Sequence, residues 1–566
     1  MDERAGRPYI TRREFLTRTA AGVVVVGGLP AILAACTGAA NTPEPSSGGS
    51  AAGGGSSAAL RVGWSSEPDT MNPLTSYSTE AQEVLQLVYD KLMEYDAQLA
   101  AQPSLAESST TSDDGRTVTY TLRSGVTWHD GEPFTADDVD FTFNLIHDEN
   151  LSQYAQWLAD MISAEAQGPD TVVVTFKKPQ AFDPALAIPI LPKHIWAGMK
   201  SAEIQKFAND EPVGTGPFTF GSWERGQTVT VNRNPDFWGT PAGPGSVIWV
   251  LFQNEDVMAQ SVRTAEVDIL SEVPPTIWDG INGADQVKAV SLPGFSFHHI
   301  GFNVSEDPAS GGNPLLLDPV VRQALSYSLD RNQLVQIALA GHGQPGSVLL
   351  PPAMADYQLQ IPEDQQFNAN PDMGNQILDQ AGYAAGSDGV RESSSGDPLQ
   401  FRLIAIESTT VDVRAAQIFR DSAAKVGIKL DLETMDENTL GSIVYNADAP
   451  DWDIFVWGWD SGVNDPDYLL GVPLSSQIGG NNDVYYAEPN YDALYDEQAA
   501  ELDHDARVDL VHEAQQMFYD SAAYIVMWYQ DKLQAYRTDT WTGWSDTPGG
   551  VIFNFTRANY VNVHPV

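Results

Sequence analysis

The chain has 566 residues, 76 of them acidic and 30 basic, for a formal net charge of −46. That charge repels a nucleic-acid backbone and disfavours anionic substrates as a class, and it aids solubility outside the cell and in salt. Apolar residues make up 42%, with 14 Trp, 20 Tyr and 21 Phe, enough for two to four packed units rather than one core. The single cysteine, Cys36, allows no disulfide within the mature chain. It also leaves the body no cysteine-based zinc site and no thiol nucleophile.

The N-terminal region is basic, with Arg4, Arg7, Arg12, Arg13 and Arg18 diluted by Asp2 and Glu3. An apolar run over 20–35 follows and ends on small residues, the pattern of an export signal. The run is shorter than the roughly 20 residues of a membrane span, and Gly27, Gly28 and Pro30 weaken it as a helix. Arg12-Arg13 followed by Phe15-Leu16 resembles a twin-arginine signal, the type that exports folded proteins. Leu33-Ala34-Ala35-Cys36 resembles a bacterial lipobox, which implies that the Cys36 thiol carries diacylglycerol. A cysteine that is merely a small residue near an ordinary cleavage site is the alternative. Residues 1–35 are thus expected to be the signal. Residues 36–59, nearly all Gly, Ala, Ser, Thr and Pro, form a flexible tether with a mean reach on the order of 25–30 Å. The expected address is the outer face of the cytoplasmic membrane.

The folded body is expected to begin at Leu60-Arg61-Val62. Alternation predicts a strand over 117–122, a turn at 124–126, and a helix over 136–147 capped by Thr135 with Asp137 and Asp138 in its first turn. A strand follows over 171–176, then a hairpin over 216–233 turning at 224–227. Helices are predicted over 320–329 and 333–340. The segments 399–404, 411–426 and 428–432 read as strand, helix and strand in a crossover unit, with Gly427 ending the helix. A strand over 452–457, a helix over 505–519 and a strand over 523–528 complete the pattern. The glycine-rich stretch 386–397 reads as an exposed turn. No later segment reads as a membrane span.

Catalytic patterns are missing from the sequence of the body. His512-Glu513 lacks the second histidine of a zinc helix, and there is neither a nucleophile elbow nor a phosphate loop. The G-x-G-x-x-G match at 341–346 follows a predicted helix rather than a strand, and Pro345 spoils a helix start, so it reads as a helix cap and loop. His298 and His299 are neighbours in a strand and point to opposite faces, which argues against one shared metal ion. Asp460, Asn464, Asp465 and Asp467 lack calcium-loop spacing. No metal and no cofactor is expected.

The segment WHDGEPFTADDV (128–139) resembles the W-x-D/N-G-x-P-x-T-A-x-D-V motif of the family 5 extracellular solute-binding proteins, the oligopeptide-, dipeptide- and nickel-type receptors of ABC importers. Further segments agree in order: LPKHIW (191–196), PVGTGPF (212–218), RNPDFW (233–238), Phe302-Asn303, VRQAL (321–325) with Leu329-Asp330-Arg331, and WGW (457–459) with Asp465-Pro466. The likeness spans about 60–535. It implies an α/β, class II periplasmic-binding-protein-like fold of two lobes. Lobe I would comprise 60–92, 212–304 and 525–566, with an extra domain at 93–211, and lobe II would comprise 305–524. It also implies a monomeric receptor first of all for peptides, with oligosaccharide, another uncharged solute or nickel as the alternative ligand, and with a permease and an ATPase as partners. An exported hydrolase is the alternative of another class, and a sensor or chaperone using the same cleft is a third.

In peptide-binding members an aspartate three residues after the second Trp of this motif pairs with the peptide amine. Here Gly462 occupies that position. Asp460 stands two residues earlier, either as a replacement anchor or as a solvated loop acid. Trp452, Trp457 and Trp459 offer an aromatic platform, the last two on one strand face, with core packing as the ordinary alternative for each. Tyr77 and Asn464 complete the expected ligand contacts.

Overall fold

The computed structural model describes residues 57–566, except Tyr77, Gly462 and Val463. The export signal, Cys36 and nearly all of the tether lie outside the described residues. The framework is an eleven-stranded mixed sheet. Its strands are β1 (Ala59–Trp64), β2 (Phe218–Glu224), β3 (Thr228–Arg233), β4 (Ser246–Leu251), β5 (Ile269–Leu270), β6 (Val287–Phe302), β7 (Gly343–Pro345), β8 (Gln400–Ile406), β9 (Lys429–Met435), β10 (Ile454–Asp460) and β11 (Tyr524–Arg537). The order is β9-β8-β10-β6-β11-β5-β1-β4-β3-β2, with β7 added on β11.

The two long strands make this one sheet. β6 has 16 residues, a length of roughly 50 Å at about 3.3 Å per residue. It pairs antiparallel with both β10 and β11. The far end of β11 pairs with β5, which lies parallel to β1. β6 and β11 therefore run from one half of the sheet into the other. Sequence alternation locates only 295–302 and 523–528 of these strands. The rest of β6 holds Pro293 and Gly294, residues that ordinarily interrupt a strand, and the pairing shifts register between Pro293 and Phe297. A bulge absorbs the proline instead of ending the strand.

Strands buried on both faces explain the apolar runs. In β10, Ile454 and Val456 enter one core while Phe455 enters another. β8 does the same, with Phe401, Leu403 and Ala405 on one side and Ile404 and Ile406 on the other. Helices Pro319–Ser328, Arg331–Ala338 and Thr410–Ala423 cover the first face. β8 and β9 are parallel around helix Thr410–Ala423, and Gly427 ends that crossover helix at φ 74°. Elsewhere, strands Ala106–Thr111, Thr117–Leu122, Met161–Ala166 and Thr171–Phe176 form a separate antiparallel sheet. It shares a core with β1, β4 and helix Thr79–Val88.

The segments that carry the family resemblance hold the frame together. Thr135 is the N-cap of helix Ala136–Glu149, and its amide donates to Asp138 Oδ2 at 2.9 Å. The other Asp138 oxygen takes the Lys193 amide at 3.0 Å. Gly214 and Gly216 lie against helix Thr79–Val88, where a Cβ on Gly214 would fall on the Val88 carbonyl oxygen. The Asn234 amide group reaches the Gly216 carbonyl at 3.1 Å, and the Trp238 indole donates to Asp90 at 2.9 Å. Arg322 and Asn303 likewise spend their donors on backbone carbonyls of Ser521 and Trp452.

Two predicted loops are corrected. The stretch 386–397 carries a short strand pair, Ala384–Ala385 with Arg391–Glu392, and it is not wholly exposed. Arg391 is buried and donates to Asp379 and to the Tyr383 carbonyl at 2.6 Å, to Asn375 at 2.9 Å, and to the Val426 carbonyl at 3.1 Å. Polar composition concealed a guanidinium that ties helix Pro371–Gln380 to the end of the crossover helix. Arg391→Ala strands those carbonyls, so a cost of about 2 kcal/mol is expected in equilibrium unfolding. The stretch 341–346 does end a helix, at Ala338, but Gly343–Pro345 then pairs with β11 as β7.

Candidate functional site

β6, β10 and β11 turn their side chains into a cleft of about 360 Å³. β6 supplies Phe295, Ser296 and His298, β10 supplies residues 457–460, and β11 supplies residues 530–532. Thr79 at the start of helix Thr79–Val88 closes one side. Thr409, Asp412 and Glu437, at the starts of two other helices, close the other. A second chamber of about 290 Å³ shares Thr79, Trp459, Asp460 and Asn554 with the first. It runs past Tyr89, Tyr154, Trp157 and Tyr468 to Lys91.

Of the residues singled out from sequence, Trp457, Trp459 and Asp460 come together in the cleft. Both indoles are half-buried. Trp457 packs edge-on against Tyr445 and Phe455. The Trp459 indole donates to the fully buried Asp483 at 3.0 Å, and the Tyr524 hydroxyl donates to the same carboxylate. Each indole is thus anchored on one edge and open on the other. Asn464 lines neither chamber. Asp465 and Asp467 belong to the scaffold, buried against Arg507 and Gln498. Gly462 and Tyr77 lie outside the described residues.

His298 and His299 face opposite ways, as strand geometry requires. His299 is fully buried and stacked on Tyr524 at 3.8 Å. His298 opens to the cleft, stacks on Trp528 at 5.2 Å, and meets Asp412 through Nδ1 at 2.8 Å. Between His298 and His299 the register of β6 on β11 shifts again, with His298 opposite Trp528 and His299 opposite Val526. That bulge re-aims Trp528 under the imidazole. Among the described residues no group of three or more His, Cys, Asp or Glu is placed to hold a metal ion.

Charge is the cleft's dominant property. Glu272, Asp412, Glu437, Asp460 and Asp531 face Lys532 and His298 across it. Asp412 is committed to His298, Asp531 accepts from the Ser291 hydroxyl at 2.6 Å, and Glu272 lies 3.8 Å from Lys532. Burial works against charge on His298, but Asp412 and then Asp460 outweigh it and raise the ring's pKa. Lys532 is likewise raised despite burial, by Glu272, Glu83, Asp460 and Glu80. Asp460 is accessible to cleft water and has no ion-pair partner within 4 Å among the described residues. Its position at the cleft floor, with protein on several sides, pushes its pKa up to about 6 by desolvation. Lys532 opposes the rise and Glu272 adds to it.

Sequence reasoning did not reach Lys532, Glu272, Asp412 or Lys91. None sits in a motif; Lys532, Glu272 and Asp412 meet only because distant parts of the chain come together at the cleft, and Lys91 lines the second chamber. The period-two face of β6 was the one available signal, since it separates His298 from His299.

Residues 100–481 match the family model described as bacterial extracellular solute-binding proteins, family 5 Middle. Protein XP55 of Streptomyces lividans is 29% identical over 540 residues, covering 94% of each chain. The oligopeptide-binding protein AppA of Bacillus subtilis (strain 168) is 27% identical over 445 residues, 77% of this chain and 79% of that one. The solved structure of AppA from Bacillus subtilis in complex with a nonapeptide superposes with a TM-score of 0.75 at 24% identity, covering 90% of this chain and 98% of that one. The mannohexaose-bound periplasmic oligopeptide-binding protein of an ABC transporter from Thermotoga maritima gives 0.73 at 22% identity, covering 90% and 99%. The fold is therefore that of the α/β periplasmic binding proteins, and a model match over most of the chain assigns the family. This chain belongs to the bacterial extracellular solute-binding proteins of family 5.

Proposed function

We propose that the protein is the ligand-capturing receptor of an ABC importer, that its ligands are peptides, and that it works as a monomer tethered by lipidated Cys36 outside the cytoplasmic membrane. One lobe, made of 60–92, 212–304 and 525–566 and carrying the extra domain 93–211, would close on a second lobe over 305–524 by bending β6 and β11. No helix among the described residues is long and apolar enough to cross a membrane, which leaves anchoring to the N-terminal region. The observation that carries the peptide reading is Asp460, a carboxylate without an ion-pair partner on the floor of an acidic cleft, beside two half-exposed indoles. An ammonium placed there gains a partner and lies over aromatic faces. AppA, the oligopeptide-binding relative, supports the same class.

The test is binding by the purified protein. Randomised tripeptide and pentapeptide pools are expected to raise the melting temperature, and N-acetylated pools are not. A ligand at 100 times its Kd adds about 2.7 kcal/mol. Asp460→Asn is expected to weaken the free-amine pools at least tenfold. An ammonium favours the ionised carboxylate, so wild-type affinity is expected to be highest between about pH 7 and roughly 8, above which the peptide amine itself deprotonates, and to fall below about pH 6. The fall approaches tenfold per pH unit, and Asp460→Asn abolishes it. Unchanged peptide affinity in that variant would place the amine elsewhere. The half-exposed Trp457 and Trp459 favour a second reading, an oligosaccharide stacked on indole, in line with the mannohexaose-bound relative. A shift with mannohexaose and none with peptides would establish it.

A further inference from the structure

Among the described residues the second chamber has two charged residues in its lining, Asp460 and Lys91. The rest is aromatic, aliphatic or neutral polar. Asp460 also lines the main cleft, which does not include Lys91, whereas Lys91 also lines a small depression that does not include Asp460. Among the described residues the Lys91 ammonium makes neither an ion pair nor a hydrogen bond.

Its neighbours are already committed. Arg557 binds Asp90 at 2.5 Å and Glu94 at 2.7 Å. Asp90 also takes the Thr215 hydroxyl at 2.8 Å and the Trp238 indole at 2.9 Å. Burial therefore lowers the Lys91 pKa to about 8; Glu94 favours its charge and Arg557 opposes it. A half-buried ammonium without a partner is costly unless something else supplies the counter-charge. Its backbone is held firmly, bridged to Pro189 and accepting from the Leu105 amide at 3.2 Å. The side chain that carries the cation thus starts from a fixed point in the wall.

We infer that Lys91 is the anion subsite of this chamber and takes the α-carboxylate of a short zwitterionic peptide whose ammonium sits at Asp460. The inference rests on the peptide reading above. Between the two charges the peptide backbone would pass Trp459, Tyr154 and Trp157, and its side chains would project toward the larger acidic cleft.

The test uses randomised tripeptide pools lacking Asp and Glu, as free acids and as C-terminal amides, titrated into the wild-type protein. Lys91→Met and Lys91→Arg are compared, with ligand-free melting temperatures checking that each variant is folded. The wild type is expected to bind the acid pool at least tenfold more tightly than the amide pool. Lys91→Met is expected to bind both pools as weakly as the wild type binds the amide, and Lys91→Arg to restore most of the preference. Equal wild-type affinity for acid and amide, or equal weakening of both pools by Lys91→Met, would overturn the subsite and leave the peptide receptor standing. Failure of the wild type to bind either pool would overturn the peptide reading itself, and the subsite with it.

Discussion

Arg507→Met is expected to lower the unfolding free energy by about 3–5 kcal/mol. Arg507 grips both oxygens of Asp465, at 2.7 and 2.8 Å, and donates through Nε to Gln498 at 3.2 Å. The two side chains are only 5% and 10% exposed. Removing the guanidinium leaves Asp465 buried without its counter-charge. Asp467 sits beside it, already pushed up to about 6 by burial and by Asp465, with Arg507 acting to lower it. Methionine fills much of the volume, so the loss reports charge rather than a cavity. Adding Asp465→Asn to Arg507→Met is expected to recover part of the loss, because no buried charge is then orphaned. Denaturant titration of the two variants checks this. A single-variant cost under about 1 kcal/mol would show that the pair is dispensable. The segment it fixes leads directly from Asp460 at the end of β10, so Arg507→Met is also expected to weaken ligand binding.

The second large effect is a pH dependence centred on Glu83. This carboxyl is almost fully buried beneath β1, where it accepts from the Trp64 indole at 3.0 Å and the Tyr560 hydroxyl at 2.8 Å. Burial pushes its pKa up from 4.5 to about 7, while Lys532 and the two donors pull it down. Below pH 4.5 the folded and unfolded chains both hold the proton. As pH rises from 4.5 to 7 the unfolded chain ionises first, so the contribution of Glu83 to stability is lost across that window and is constant above it. The change amounts to about 3 kcal/mol. Glu83→Gln keeps an acceptor for both donors and does not titrate. The difference in unfolding free energy, wild type minus variant, is therefore expected to fall by about 3 kcal/mol between pH 4.5 and pH 8. A difference independent of pH would refute the raised pKa.

Much of the frame was readable because its causes are local. Thr135 followed by Asp137 and Asp138 defines a helix start, Gly427 ends a helix, and the alternation of 171–176 matches strand Thr171–Phe176. The ends of β6 and β11 were not readable. Pro293 and Gly294 break the local pattern, and only pairing with β11 across a bulge keeps the strand going. Arg391 is the converse case. A polar, glycine-rich neighbourhood predicts exposure, yet two acceptors on helix Pro371–Gln380, one at Tyr383 just beyond it and one at Val426 enclose its guanidinium.

The sequence by itself determined the class of the chain: its acidic character and a series of ordered segments that mark the family. Those features are composition or short-range patterns, and they survive without coordinates. Trp457 and Trp459 could be placed on one strand face for the same reason, since side chains alternate along any strand. Only the tertiary structure decided which charges meet. Asp460 and Lys91 in the lining of one chamber, Asp412 against His298, and Lys532 among four carboxylates all depend on long-range packing. A carboxylate in a loop and one on a cleft floor read alike in sequence. They differ in solvation and in the charges facing them, and those are properties of the folded surface.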